Sequence, residues 1–278
     1  VNLPVRITIL VENSVHRHSL LAGHGLAFHI QTGDRSLLFD TGPGDLVQRN
    51  ATTLSLPLDR IDAVVLSHGH YDHTGGLACV LNAAPSARVF LHPAATAPRF
   101  RRNPQGEVRF IGMSAASAEA LRSHRGSVVE TRGWTEVLPG AFVTGSIPRT
   151  TDCEDAGDPF FLDAGCHQPD PLNDDQALVL DAGPGLVVVL GCAHAGVINT
   201  LDHIRQLTCG KLIRAVIGGF HLGSADGERI HRTVARLGEL NVDCLVPLHC
   251  TGWPATLALG QAFPKSLKPG GVGTVFVF

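Results

Sequence analysis

The sequence predicts a four-layer α/β sandwich, αββα, built as a single domain over residues 1–278. Short apolar runs that do not alternate with polar residues read as strands buried on both faces. Stretches of helical period separate these runs. The two halves of the chain also share one layout of hairpin, glycine-rich turn, buried strand, histidine-bearing loop and helix. The strands expected in the first half are VRITILV (5–11), LAFHI (26–30), SLLFD (36–40), AVVLS (63–67) and RVFLH (88–92), with Gly33 and Asp34 as a hairpin turn between the second and third. Those in the second half are ALVLD (177–181), GLVVVLG (185–191), RAVIGG (214–219) and CLVPLH (244–249). Helical pattern covers 75–83, 114–124, 196–208, 226–240 and 254–263. AFHIQTGDRSLLFDTG followed by AVVLSHGHYDH answers to ALVLDAGPGLVVVLGCAH, which pairs the halves as two packed sheets with helices outside. Residues 99–176 are poorer in strand pattern and richer in Pro, Gly, Asp and Arg, and are expected as an insertion or cap over one edge.

Composition narrows the function. With 278 residues, 44% of them hydrophobic, the chain can bury a large core. A formal net charge of -3 and the absence of a long basic cluster argue against a nucleic-acid partner. The densest basic spot, FRRNP at 100–104, reads as a solvated loop. No window of about 18 apolar residues is present, and the opening VNLPVRITILVENS lacks the basic end, apolar core and cleavage site of a signal peptide. The expectation is a soluble, cytoplasmic protein with a small-molecule substrate and no membrane partner; composition leaves the oligomeric state open. Seven cysteines occur singly, without a CxxC pair, and are expected to be reduced. Fifteen histidines against one tyrosine and two tryptophans point to metal binding or proton transfer.

The chemistry concentrates in SHGHYDHTGG (67–76). His68, His70, Asp72 and His73 follow an apolar strand, whose end and following turn can aim them into one space. Imidazole nitrogen and carboxylate oxygen are ligands for Zn²⁺, and other first-row metals accept them too. Further ligands must come from elsewhere, and His194 in GCAHAG, His221 in GGFHLG and His249 in PLHCTG each follow an apolar strand, where a sheet edge delivers a side chain to a cleft. His29, His92, His167, His203 and His231 lack that context and read as structural or solvent-facing, and His24 in AGHGL is the exception to watch. Cys192 and Cys250 lie beside two of these histidines and read as small buried packing residues.

SHGHYDHTGG resembles the signature of the metallo-β-lactamase-fold metallohydrolases, and LLFDTG, GCAH and PLHCTG fall in the order that superfamily uses. LVENS, GHGLAFHI, TGSIPR, NDDQALVL, GCAHAGVIN, GGFHL and PLHCTG resemble more narrowly its dihydropterin-aminobenzene-ribofuranosyl-phosphate synthase-like branch. The resemblance implies His68, His70 and His194 around one metal and Asp72, His73 and His249 around a second, with Asp40 orienting ligands from behind. One departure stands out: the superfamily usually supplies a bridging aspartate from the strand between the third and last histidine motifs, and AVIGGFHL offers His221 there instead.

These residues predict a hydrolase that holds one or two Zn²⁺ ions, with Mn²⁺ or iron as the other candidates. A bound divalent ion lowers the pKa of its water to near 7, and the hydroxide cleaves an ester-type bond, a phosphoester, phosphodiester or lactone. Asp72 is expected to orient that nucleophile. Arg149 is a candidate fork for a phosphate or carboxylate, and Glu12 and Asn13 could reach the cleft from the first strand. Asp174 and Asp175 are candidates for pinning the cap. No GxSxG elbow and no nucleotide loop is present. Two other classes share the ligand set: a metal-containing module that binds a small ligand without turnover, and an iron-dependent oxidoreductase or dioxygenase.

Overall fold

The computed structural model describes residues 4–155 and 159–278; residues 1–3 of the opening and 156–158 of the expected cap lie outside the described residues. The first sheet contains β1 (Val5–Val11), β2 (Ala27–Thr32), β3 (Arg35–Phe39), β4 (Ala63–Val65), β5 (Arg88–Leu91), β8 (Val128–Glu130) and β16 (Val275–Val277), ordered β16-β1-β2-β3-β4-β5-β8. The second contains β9 (Thr135–Leu138), β10 (Ala141–Val143), β12 (Leu178–Asp181), β13 (Leu186–Leu190), β14 (Ile213–Gly219) and β15 (Cys244–Leu248), ordered β15-β14-β13-β12-β10-β9. A small third sheet joins β11 (Phe160–Phe161), β6 (Phe100–Arg102) and β7 (Val108–Phe110). Each large sheet is antiparallel on one side and parallel on the other, and the change falls at β3 in the first and at β13 in the second. That repeat of hand and order matches the two-halves layout read from the sequence.

The helices are α1 (Leu46–Thr53), α2 (Tyr71–Thr74), α3 (Leu77–Ala83), α4 (Ala115–Arg122), α5 (Val197–Leu207), α6 (Gly227–Leu240) and α7 (Trp253–Ala262). Strand alternation assigns neighbouring residues to different cores. Phe39, Val65, Leu178, Leu180, Val187 and Val189 meet between the sheets. Leu38, Val64, Leu66, Leu77 and Val80 fill the space under the helices of the first half. Val179, Val188, Leu190, Leu201, Val216 and Leu237 do the same in the second. These strands are apolar throughout because both faces are covered, giving the αββα sandwich.

Residues 99–176 divide among several parts of the fold. β8 lies at the edge of the first sheet, β9 and β10 complete the second, α4 packs beside α3, and only β6, β7 and β11 form a separate small sheet. The sequence reading of FRRNP as a loop is corrected here, since Phe100–Arg102 is a strand paired on both sides. Its short length and polar composition hid it. Among the described residues no helix is long and apolar enough to cross a membrane.

His29, in the middle of β2, is buried in the first sheet. Burial, with Arg6 adding to it, lowers its ring from the usual 6.5 to about 4. Such a histidine favours the fold only when neutral. Its contribution, about 3 kcal/mol by proton linkage, is complete above the unfolded value of 6.5 and is lost as pH falls through the folded value. Thermal denaturation across that window should show His29→Leu losing stability less steeply than wild type, and parallel curves would contradict this assignment.

Candidate metal centre

Asp40 and the histidines and aspartate expected at the centre come together at the carboxyl ends of five strands, β3, β4, β13, β14 and β15, as α/β sheets commonly place their ligands. β3 ends at Asp40, a fully buried carboxylate. Its Oδ1 accepts from Ser67 N at 2.7 Å, and its Oδ2 accepts from Ser67 Oγ and stands against His73 Nδ1, each at 2.7 Å. Asp40 thereby fixes the His73 ring with Nε2 turned to the cleft. Ser67 Oγ also lies 2.9 Å from His68 Nδ1, so the first histidine is oriented by the same network.

The turn after β4 delivers His68 and His70 side by side, with His68 Nε2 3.0 Å from His70 Nδ1. Gly69 between them is required by space: a Cβ there would collide with the Ala95 carbonyl and the Arg99 guanidinium. His194, from the turn after β13, stands edge-on to both, at ring distances of 4.8 Å from His68 and 4.9 Å from His70. His70 Nε2 is buried and has no hydrogen-bond partner among the described residues.

The second group gathers around Asp72. Its Oδ2 lies 3.3 Å from His249 Nε2, 3.8 Å from His73 Nε2 and 3.3 Å from His24 Nε2. His24, the exception to watch, therefore reaches the site, with its side chain 61% exposed at the rim. Glu12 and Asn13 act from behind: Glu12 Oε1 accepts from His249 N at 2.9 Å, and Asn13 Oδ1 stands 3.0 Å from His249 Nδ1. His221 packs against His194, with ring centroids 4.2 Å apart. Asp40, Ala193, His221 and His249 all have left-handed φ, between 47° and 61°, a conformation that costs non-glycine residues of order 1–3 kcal/mol and clusters where a side chain must be aimed.

Electrostatics separate the histidines. Burial drives the His68 ring well below the ordinary imidazole range and takes His70 to about 3, so both are neutral donors at neutral pH. Burial also lowers His73, but Asp40 and Asp72 outweigh it and raise that ring to about 9. Asp72 is pushed up by burial and pulled down further by His73 and by hydrogen bonds from His24 and His249, which leaves it ionised.

The cleft above these groups has a volume of about 310 Å³. Phe160 forms one wall, against His70 and His194, while Arg101 and Arg109 stand at the mouth on the small sheet. A larger hollow of about 480 Å³ lies elsewhere, beside Arg229 and Arg232. It has no histidine in its lining, so the chemistry belongs to the smaller cleft.

A family model described as the metallo-beta-lactamase superfamily matches residues 21–247. The chain belongs to the metallo-β-lactamase superfamily. It is 29% identical to the 7,8-dihydropterin-6-methyl-4-(beta-D-ribofuranosyl)-aminobenzene-5'-phosphate synthase of Methanocaldococcus jannaschii, over 99% of this chain and 97% of that one. A solved metal-dependent hydrolase of the β-lactamase superfamily is 30% identical, with a TM-score of 0.82 over 98% of both chains. Zn²⁺-bound PqqB from Methylobacterium extorquens, at 15% identity and a TM-score of 0.59 over 98% of this chain and 99% of that one, shares the fold alone. Metal-ion binding is what this superfamily fold implies, and the described residues hold donor groups suited to it.

Some placements differ from the sequence reading. Arg149 does not line the cleft; it donates to the Pro171 carbonyl at 3.3 Å. Asp174 and Asp175 hold the histidine-bearing turns, accepting from Gly69 N at 2.8 Å and Ala195 N at 2.7 Å. Arg99 was missed: fully buried, it forks between Asp170 Oδ2 and Asp174 Oδ1, each at 2.6 Å. Its only sequence signal was a position before FRRNP, which does not distinguish it from its exposed neighbours. Cys192 was read as packing, yet its Sγ lies 3.1 Å from His73 Nε2 and belongs to the donor groups.

Proposed function

We propose that this protein is a metal-dependent hydrolase of a small phosphate-bearing substrate, a phosphoester or phosphodiester, with a lactone as the other ester class the same site could cleave. The observation that carries the reading is the convergence of His68, His70 and His194 with Asp72, His73 and His249 under one cleft, which His70, Asp72, His194 and His249 line while His68 and His73 lie fully buried behind them. The donor set fits divalent first-row ions: the neutral imidazoles of His68 and His70, one ionised carboxylate at Asp72 and a buried His70 Nε2 with no partner among the described residues, while the His73 ring would give up its proton on binding an ion. His68, His70 and His194 would hold one Zn²⁺ and Asp72, His73 and His249 a second, while Mn²⁺ or iron would accept the same nitrogen and oxygen donors. A divalent ion held by these residues would acidify a water and polarise the carbonyl or phosphoryl oxygen under attack.

The chain's own groups supply the rest. Asp72 takes a hydrogen bond from the nucleophile and aims it, and the rim His24, within reach of Asp72, moves the proton to solvent. Phe160 excludes water from the His70 and His194 side. Arg101 and Arg109 at the mouth provide cationic donors for a phosphate, and the volume suits a small molecule. The name of the archaeal synthase relative, which ends in a 5'-phosphate, agrees with a phosphorylated ligand.

The test is a panel of activated phosphodiesters, phosphomonoesters and neutral lactones with metal-replete protein. Arg109→Ala should raise KM about 10-fold for phosphorylated substrates, the scale of one charge-assisted hydrogen bond, and leave neutral lactones nearly unaffected. Equal effects on both classes would remove the phosphate reading. Absence of any turnover above metal alone would remove the hydrolase reading.

A further inference from the structure

The strand with His221 lacks the bridging acid that the superfamily usually carries, which leaves the site short of one negative charge. A sulfur atom occupies the junction between the donor groups. Cys192 Sγ lies within 4.8 Å of the ligand atoms of His68 and His194, and within the same limit of those of His73 and His249. It stands in a third such group with His221 and Cys250. Two ligands on one tetrahedral zinc stand roughly 3.3–3.8 Å apart, given Zn–N near 2.0–2.1 Å and Zn–S near 2.3 Å. The 3.1 Å approach of Cys192 Sγ to His73 Nε2 is close to that spacing before any adjustment.

The backbone supports the placement. Cys192 stands two residues past the end of β13, in the same turn that carries His194. Gly191 before it lies against Ser67, and a Cβ there would collide with the Ser67 side chain, which brings the ends of β13 and β4 together. Cys192 is also 4% exposed and lines the cleft.

We propose that Cys192 is a thiolate ligand shared by the two metal positions, taking the place of the bridging aspartate; this rests on the metal centre proposed above. On binding, the Cys192 S–H bond breaks, its proton leaves to solvent and the sulfur's electron pairs form the metal bonds, with no change of oxidation state. A thiolate offers both the second lone pair and the charge that a neutral imidazole such as His221 lacks. It also biases the site towards thiophilic ions, so zinc is favoured over manganese.

The test is zinc K-edge X-ray absorption on zinc-loaded wild type, C192S, C192D, C250S and the exposed-cysteine control C209S, with bound metal counted in each. Wild type and C209S should show a sulfur shell near 2.3 Å beside the nitrogen shell. C192S should lose that shell and bind zinc more weakly by at least the ~10–100-fold typical of losing a partner behind a ligand. C192D should lose the sulfur shell yet recover affinity relative to C192S, because it restores the anion. Zinc bound to wild type through nitrogen and oxygen only, or a sulfur shell that survives in C192S or disappears only in C250S, overturns the proposal while leaving the metal centre intact. Wild type that binds no zinc overturns both. The wild-type spectrum decides the ligand even if a variant fails to fold.

Discussion

His68→Ala should lower metal-dependent turnover by about 10³-fold or more, equivalent to about 4 kcal/mol of transition-state stabilisation. His68 is buried with Nδ1 held by Ser67 Oγ, so its Nε2 is committed to the space shared with His70 and His194. Removing it deletes a donor that no neighbour can replace, and bound metal should fall with activity. His167→Ala is the control, since that ring is exposed and, among the described residues, pairs with Asp163 at 3.2 Å. Elemental analysis of the purified variants, read beside turnover on an activated phosphodiester, checks the result. Unchanged metal content and unchanged rate in His68→Ala would end the metallohydrolase reading.

Arg99→Ala should be the most destabilising single change outside the apolar cores, costing about 3–5 kcal/mol, because it strands buried carboxylates without their partner. Asp170 and Asp174 both lean on this guanidinium, which is 1% exposed. Burial raises the Asp174 carboxyl above its usual range even with Arg99 beside it. At roughly 2–4 °C per kcal/mol for a chain near this size, the melting temperature should fall by about 10 °C. The damage should also reach the metal, since Asp174 Oδ2 holds Gly69 N between His68 and His70. Calorimetry of Arg99→Ala and of Arg99→Ala with Asp170→Asn and Asp174→Asn tests the cause. The triple variant should recover part of the loss, and a loss that is unchanged would show that packing, not charge, was responsible.

The two predictions concern residues that were very unequally visible in the sequence. SHGHYDHTGG announces itself because its polar side chains are local: a strand end and the turn after it present His68, His70, Asp72 and His73 within a few residues. His194, His221 and His249 were legible for a related reason, each following a run of apolar residues that could only be a buried strand. The β2–β3 hairpin, the parallel runs and the helices from α3 onward were written in hydrophobic period. The short strands β6, β8 and β11 were not, since two or three residues carry no period and take their pairing from the rest of the fold.

The sequence by itself determined the αββα architecture and marked the strand ends that carry the histidines, because burial pattern and strand-end placement are properties of neighbouring residues. Only the tertiary structure decided which groups stand together. It set Arg99 against Asp174, 75 residues away, placed Glu12 and Asn13 behind His249 across 237 and 236 positions, and brought Cys192 to His73 over 119. Such partners have no spacing to read. They meet because two sheets, packed face to face through an apolar core, carry their strand ends to one edge, and the charges and sulfur held there act on each other through distances of a few ångströms.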